Sequence, residues 1–463
     1  MLNRLLLQLG LATAVLSATT TASATEVLFD GSYRARFRTF DSLSIDNTLA
    51  DSEGRSAYVQ HRFLLQPRFL VNENITVFAG FKGLDNVHWG DEVSPWTDPV
   101  NGLDVPLAWS DNLTAPTGAA DDGSGDASAP LLDFTLWRVW TEIDTKIGTF
   151  SFGRMPVHWG SGIWQNDGMG VNAEYGDTVD RFQWEKEISS LFVRVSGEAN
   201  AEGLVNQDDD TLAANATIAY RTERILTGIN LQVKTAPSRD FTLFTADLAA
   251  EANLGKLNLR FEGVGQFGGG DLENGANDVQ ITAFGAVLGA DLKVADFDLT
   301  IEGGVASGDK NLGDEKIRTF TFDRDYNVGL IMFEQPLPTL SSGLTNDGGR
   351  AYNATLTGPG VSNTLYIRPE IGRELPWVPD LKLSIAMLAA RTLALPESES
   401  GRGSYGMEFD LNATYSGIEH LDLSATGALF LPGTYYKNYS DADFINGFSG
   451  VVFGGQLIAR VHF

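Results

Sequence analysis

Val451-Val-Phe-Gly-Gly-Gln-Leu-Ile-Ala-Arg-Val-His-Phe463 is the stretch whose reading decides the fold. Val451, Phe453, Gly455, Leu457, Ala459, Val461 and Phe463 share one parity, while Gln456, Arg460 and His462 share the other. A period of two puts alternate side chains on opposite faces of a β-strand. The same alternation runs through Tyr405, Met407, Phe409, Leu411, Ala413 and Tyr415 against Glu408, Asp410, Asn412 and Thr414. It returns in Leu421–Leu429, in Phe297, Leu299 and Ile301 against Asp298, Thr300 and Glu302, and in Leu257, Leu259 and Phe261 against Asn258, Arg260 and Glu262. Each strand has one apolar and one polar face.

The connections alternate too. Short turns at Asn72-Glu73-Asn74, Asn253-Leu254-Gly255, Val294-Ala295 and Gly417-Ile418 interleave with long polar stretches near 85–133, 156–178, 200–209, 268–277, 309–362 and 434–446. Short turns on one side and long loops on the other are the pattern of a transmembrane antiparallel barrel. A soluble sandwich also alternates, but its closed core could not hold the full charges carried by the polar parity here. The expected fold is all-β, a transmembrane antiparallel β-barrel of about 18 strands at roughly 24 residues each, enough for a tilted ~10-residue span plus its loops. An even count returns both chain ends to the turn side.

Met1–Ala24 predicts export: Arg4, an apolar run Leu5–Leu16, and Ala22-Ser23-Ala24 form a cleavable signal peptide. Residues 25–463 then form a single barrel domain in a bacterial outer membrane, in contact with its lipid and lipopolysaccharide. Composition agrees. With 60 acidic and 33 basic residues, a charge of −27 and no cysteine, nucleic-acid binding, thiolate metal sites and disulfides are excluded. A hydrophobic content of 43% suits a wall in which only alternate strand residues meet lipid.

If the apolar parity faces lipid, the other lines the lumen. Arg34, Arg36 and Arg38 on the first strand, Arg62 and Arg68 on the second, Lys82 on the third and Arg460 on the last then make one basic arc across the closure. Asp247, Glu262, Asp298 and Glu302 line the far wall. Opposed arcs of this kind select charged solutes in a pore. Alternatively each arginine pairs with a neighbouring carboxylate and stiffens the wall.

The loop Pro156-Val-His-Trp-Gly-Ser-Gly-Ile-Trp-Gln-Asn-Asp-Gly-Met-Gly-Val-Asn-Ala-Glu-Tyr-Gly-Asp-Thr178 is rich in glycine, aromatics and acids. Folded inward, it would bring Asp167, Glu174 and Asp177 to the basic arc; folded outward, its aromatics would sit in a membrane girdle. Residues 85–133 hold ten Asp or Glu and no Lys or Arg, an acidic outer loop. Several signals lead nowhere. Gly263-x-Gly265-x-x-Gly268 ends a strand and opens no helix, so it is no dinucleotide motif. His61, His88, His158, His420 and His462 lack ligand spacing, and no Gly-x-Ser-x-Gly elbow occurs. No metal, cofactor or catalytic residue is expected.

Four places resemble the alginate-export-type family of Gram-negative outer-membrane barrels: Tyr33-Arg34-Ala35-Arg36, Gly153-Arg154 before an aromatic loop, Asp180-Arg181-Phe182, and Phe320-Thr-Phe-Asp-Arg-Asp-Tyr326 ahead of Gly329-Leu330. Met155 stands where that family has Gln. The resemblance implies an 18-stranded barrel with a basic lumen for anionic chains or solutes, and Arg154 and Arg181 join the candidate lumen set. Phe463 resembles the terminal aromatic read by barrel assembly machinery. The expected function is a passive channel for polar, anionic solutes or sugar-acid chains. A barrel-embedded lipase and a structural or adhesive barrel with a blocked lumen are the alternatives.

Overall fold

The computed structural model describes residues 26–41, 56–88, 96–97, 104–105, 134–201, 211–271, 278–311, 314–335, 360–395, 401–437 and 450–463. The expected signal peptide, most of the 85–133 loop and residues 336–359 of the 309–362 loop lie outside them. Eighteen long strands follow one another: β1 Glu26–Asp41, β2 Ser56–Asn72, β3 Ile75–His88, β4 Phe134–Thr145, β5 Gly148–Pro156, β6 Thr178–Ile188, β7 Leu191–Ala201, β8 Thr211–Arg221 and β9 Ile225–Ala236 make the first half. The second half is β10 Phe241–Asn253, β11 Leu257–Gly270, β12 Val279–Val294, β13 Phe297–Ala306, β14 Thr364–Glu374, β15 Leu381–Thr392, β16 Ser404–Ile418, β17 Leu421–Pro432 and β18 Val452–His462.

Every strand pairs antiparallel with its sequence neighbours, and β18 closes on β1 from Ser32↔His462 to Asp41↔Phe453. The result is the closed 18-strand antiparallel barrel that the alternation predicts. One extra strand, Lys316–Ile317, lies parallel to β12 at the loop end. Closure leaves no exposed strand edge, and it satisfies every backbone group of a lipid-facing wall between strands. The outward parity carries the apolar belt: Phe244, Phe267, Leu288, Leu411 and Leu457 are all exposed.

The seam ends at Phe463, whose backbone exchanges two hydrogen bonds with Gly31 (2.9 and 3.1 Å). A β-carbon on Gly31 would lie 2.6 Å from the Phe463 ring and 2.7 Å from the Leu64 carbonyl oxygen. Only glycine lets the terminal aromatic lie flat across the first strand.

β5 is more regular than its sequence suggests. Phe150, Phe152 and Arg154 share a parity, which reads as a bulge or a misplaced register, yet the ladders to β4 and β6 run without a shift. All three simply face outward. The interior also holds something the alternation does not announce. Phe40, Phe320, Phe322, Ile331, Met332, Tyr405, Phe430 and Val452 form a buried apolar cluster inside the barrel at the loop end. Strand residues with apolar neighbours on both parities, such as Leu429-Phe430-Leu431, supply its wall.

Replacing Gly31 with Val should weaken the seam by about 1–3 kcal/mol, the usual cost of overpacking. A urea titration read by the gel mobility difference between folded and unfolded barrel should show the loss; an unchanged midpoint would mean that the Phe463 ring has room to move.

Candidate functional site: an infolded loop on a basic arc

Residues 157–177, between β5 and β6, fold into the barrel. The reason lies in the arc beneath them. Arg34, Arg36, Arg38, Arg62 and Lys82 are all inward and at most 8% exposed. Buried cations need partners, and the wall itself offers few. The loop supplies them from its backbone. Arg34 Nη1 donates to the carbonyls of Val171 (2.8 Å) and Ala173 (2.7 Å), and Arg62 Nη1 also reaches Ala173 (2.7 Å). Arg36 Nη1 donates to the Asn172 carbonyl at 3.3 Å, and Lys82 Nζ to that of Tyr175 at 3.1 Å. The Glu174 carboxylate meets Arg36 directly and Arg38 at 2.9 Å. Burial works against its charge, but Arg36, Arg38 and Arg34 outweigh it and hold the carboxyl at about 2.

Asp167 and Asp177 reach the arc through their main chain instead. Both carbonyls accept from Arg138 Nη2, at 2.7 and 3.1 Å. Parity reading misses Arg138 for a physical reason. The β3–β4 ladder shifts between Gly80 and Phe81, pairing Gly80 with Arg138 but Phe81 with Leu136. The extra residue is Trp137, and a bulge reverses parity beyond it. Arg138 therefore turns inward although it shares the parity of exposed Phe134 and Leu136, and its guanidinium stacks 3.4 Å from the Trp137 ring. A second irregularity, with positive φ at Leu84 and Asn86, aims Asp85 at Arg62 (3.0 Å) and Lys82 (3.0 Å), and Asn86 at Arg34 (3.1 Å).

The far side of the loop rests on the opposite wall. Glu262 accepts hydrogen bonds from the Ser161 and Ile163 backbone N–H groups, with Asp247 buried beside it. Gly160, at φ +61, approaches so closely that a β-carbon would sit 2.6 Å from the Glu262 carboxylate. A second inward loop, within residues 307–335, braces the first. Its Asp323 N–H donates to the Ile163 carbonyl at 2.9 Å, and Glu408 on β16 anchors it by accepting from Leu330 (2.7 Å), Ile331 (2.9 Å) and Met332 (2.6 Å). The inward reading of 156–178 therefore holds, while the outward girdle does not.

The remaining candidates separate. Arg154 lies on the outer face, 55% exposed at its side chain and paired with Asp180 at 2.6 Å, which corrects its place among the lumen residues. Arg181 is inward but locked to buried Glu198. Arg68 pairs with Asp30 (2.7 Å) at the turn end, and Arg460 with Asp422 (2.9 Å). Asp298 is taken by Lys382 (2.6 Å); Glu302 by Arg260 (3.1 Å) and the Tyr366 hydroxyl (2.8 Å). The two arcs do not oppose each other across open water, as the parity reading expects. The loop fills the space between them.

One basic face stays open. A cavity of about 300 Å³ at the turn end is lined by Arg34, Arg62, Arg460 and His462 and closed inwardly by Gly168–Val171. Arg62 is 3% exposed, and its Nη2 has no hydrogen-bond partner.

The fold is a closed 18-stranded antiparallel barrel of the kind found in outer-membrane barrels. It is similar in structure to three Pseudomonas aeruginosa proteins: OpdK, solved with vanillate, OpdL and OccK8 (OprE). The TM-scores are 0.53, 0.54 and 0.53 at 12, 11 and 11% identity, covering 95% of this chain and 98, 99 and 98% of theirs. No protein-family model matches the chain, and no curated protein matches it in sequence.

Two outcomes follow from the loop's anchoring. Arg36→Ala breaks a buried ion pair, costing the docked loop about 3–5 kcal/mol; chymotrypsin should then cut at Trp159, Trp164 or Tyr175, which stay protected in the parent protein. The second concerns Asp177 and Asp323, buried near each other where the loops meet. Burial pushes both carboxyls up, and each one's neighbouring acids add to the rise. Raised carboxyls make the folded junction bind more protons than the unfolded chain. Its stability is therefore full below about pH 4 and declines as pH rises through the raised values. Amide exchange in residues 157–177, corrected for its intrinsic pH dependence, should accelerate from pH 5 to 9. Asp323→Asn should flatten that trend.

Proposed function

We propose that this protein is an outer-membrane channel for small anionic solutes, with the turn-end cavity as a stopping point on the path. The observation that carries the reading is the turn-end cavity lined by Arg34, Arg62, Arg460 and His462. A carboxylate or phosphate placed in the cavity would receive charge-assisted hydrogen bonds from its cationic lining. Selection in such a pore needs width, charge and hydrogen-bond donors, with no covalent step. The similarity to OpdK, whose crystal structure holds the carboxylate vanillate, supports the same reading.

The solute we favour is a single sugar acid or another small carboxylate. The alginate-export resemblance implies a polyuronate chain, but a threaded chain needs a continuous wide passage. Here a loop pinned at both walls crosses the interior, and the Gly153-Arg154 motif of that resemblance faces outward. One observation favours a second reading, a plugged structural barrel: the apolar cluster fills part of the loop end.

Reconstitution in planar bilayers separates the two. The channel reading expects stable conductance steps with anion preference and block by glucuronate. Arg62→Gln and Arg460→Gln should each weaken the block about tenfold, the equivalent of one charge-assisted hydrogen bond. No current from the parent protein, nor from one with residues 160–175 deleted, would leave the plugged barrel standing.

A further inference from the structure

Asp325 lies far from the arc in sequence, and no parity argument draws it in. Its Oδ1 accepts from the backbone N–H of Glu174 at 2.6 Å and of Tyr175 at 3.1 Å. Its Oδ2 accepts from Tyr175 at 3.2 Å and Gly176 at 2.7 Å. Three consecutive N–H groups thus converge on one carboxylate, a backbone nest with its anion built in. Gly176 holds φ at +84, the conformation that turns its N–H toward that shared centre.

The residue is itself held firmly. Its own N–H donates to Asp323 Oδ1 at 2.9 Å, and the Asp323 N–H donates to the first loop. Neighbouring Phe322 and Tyr326 stack edge to face, 5.4 Å apart, against the apolar cluster. Arg324 lies 4.1 Å from the Tyr175 ring, gripping the same turn. A β-carbon on Gly168, which closes the solute cavity, would sit 3.1 Å from Asp325 Oδ2.

We infer that Asp325 is a positioning residue for selectivity: by capping the turn at Glu174–Gly176, it fixes the Glu174 carboxylate on Arg36 and Arg38 and so sets how much of the basic arc is neutralised. Glu174 is the carboxylate that meets both guanidiniums, and its backbone N–H is the donor closest to Asp325. Loss of the cap leaves three buried donors competing for water, and the turn re-forms elsewhere. The arc then gains net positive charge. Asp325 contacts no solute in this scheme; it acts through Glu174.

The inference rests on the channel reading, and the experiment keeps the two apart. Asp325→Asn, Glu174→Gln and the double variant are compared in bilayers under a salt gradient. Both single variants should move the reversal potential toward anion selectivity, and the double variant should match Glu174→Gln alone, because a neutral residue 174 leaves Asp325 nothing to position. Asp325→Glu, which keeps the charge on a longer arm, should give a smaller shift; it also takes the place of Asp325→Asn in the cycle should that variant not fold. Parent selectivity in Asp325→Asn, or additive shifts in the double variant, overturns the proposal. A parent protein that passes no current overturns the channel reading instead. In that case amide exchange at 174–176 decides the positioning role: a tenfold or greater acceleration in Asp325→Asn supports it, and unchanged exchange refutes it.

Discussion

Buried guanidinium groups must be hydrogen-bonded, and the rest of this structure depends on how that demand is met. Arg34, Arg36 and Arg38 sit on adjacent inward positions of β1, facing Arg62 across the ladder at Arg34↔Arg62. Like charges at this spacing repel, and Arg34 and Arg36 stand side by side on a wall with few acids. A polypeptide loop is a suitable counterpart because its carbonyl oxygens are numerous, closely spaced and uncharged. Carbonyls from Asp167, Val171, Asn172, Ala173, Tyr175 and Asp177 take up donors from Arg34, Arg36, Arg62, Lys82 and Arg138. Glu174 alone among the loop acids places its carboxylate on the arginines of β1. The arc is thus solvated by dipoles as well as by the carboxylates of Glu174 and Asp85.

The same device runs in reverse on the other side. Glu262, Asp325 and Glu408 each receive backbone N–H groups from a loop turn, so acids solvate donors as the arginines solvate acceptors. Both infolded loops are therefore held by charged side chains gripping main-chain groups. Most of the first loop's contacts are made by its main chain, which is why a Gly-rich segment can serve. Gly160 is needed because the Glu262 carboxylate presses against the backbone there, and Gly176 because the Asp167 carbonyl and the Trp137 ring leave no space for a β-carbon.

Much of this was legible in the sequence. Strict alternation in Val451–Phe463 and Tyr405–Tyr415, with short and long connections taking turns, is enough for a closed antiparallel barrel, because one face must meet lipid. The inward placement of Arg34, Arg36, Arg38, Arg62 and Lys82 follows from parity alone. Parity stops at irregularities. The bulge at Trp137 hides Arg138, and Arg154 carries a charge on the outward face, where Asp180, its ladder partner on β6, meets it at the loop end. The partners of the arc were illegible for another reason: a carbonyl oxygen leaves no mark on residue type. Nothing in Val171-Asn172-Ala173 distinguishes a segment that solvates arginine from one that faces water.

The net charge of −27 is a poor guide to what such a lumen admits, since solutes respond to the field where they are bound. Within the barrel, carboxylates are mostly consumed: Glu198 by Arg181, Asp298 by Lys382, Glu302 by Arg260, and Glu262 and Glu408 by backbone donors. On the arc, Glu174 pairs with Arg36 and Arg38 and Asp85 with Arg62 and Lys82, while neutral carbonyls take further donors and orient them without cancelling their charge. In a confined space of low effective dielectric, a formal charge solvated by dipoles still acts on a passing ion, whereas a paired charge acts only as a dipole. An acidic protein can therefore present a positive interior at the turn end, where Arg34, Arg62 and Arg460 meet in one cavity. Electrostatic preference is set by what solvates each charge: Arg34, held by the Val171 and Ala173 carbonyls and by Asn86, keeps its charge toward that cavity, while Arg36, Arg38, Arg62 and Lys82 share theirs with Glu174 and Asp85.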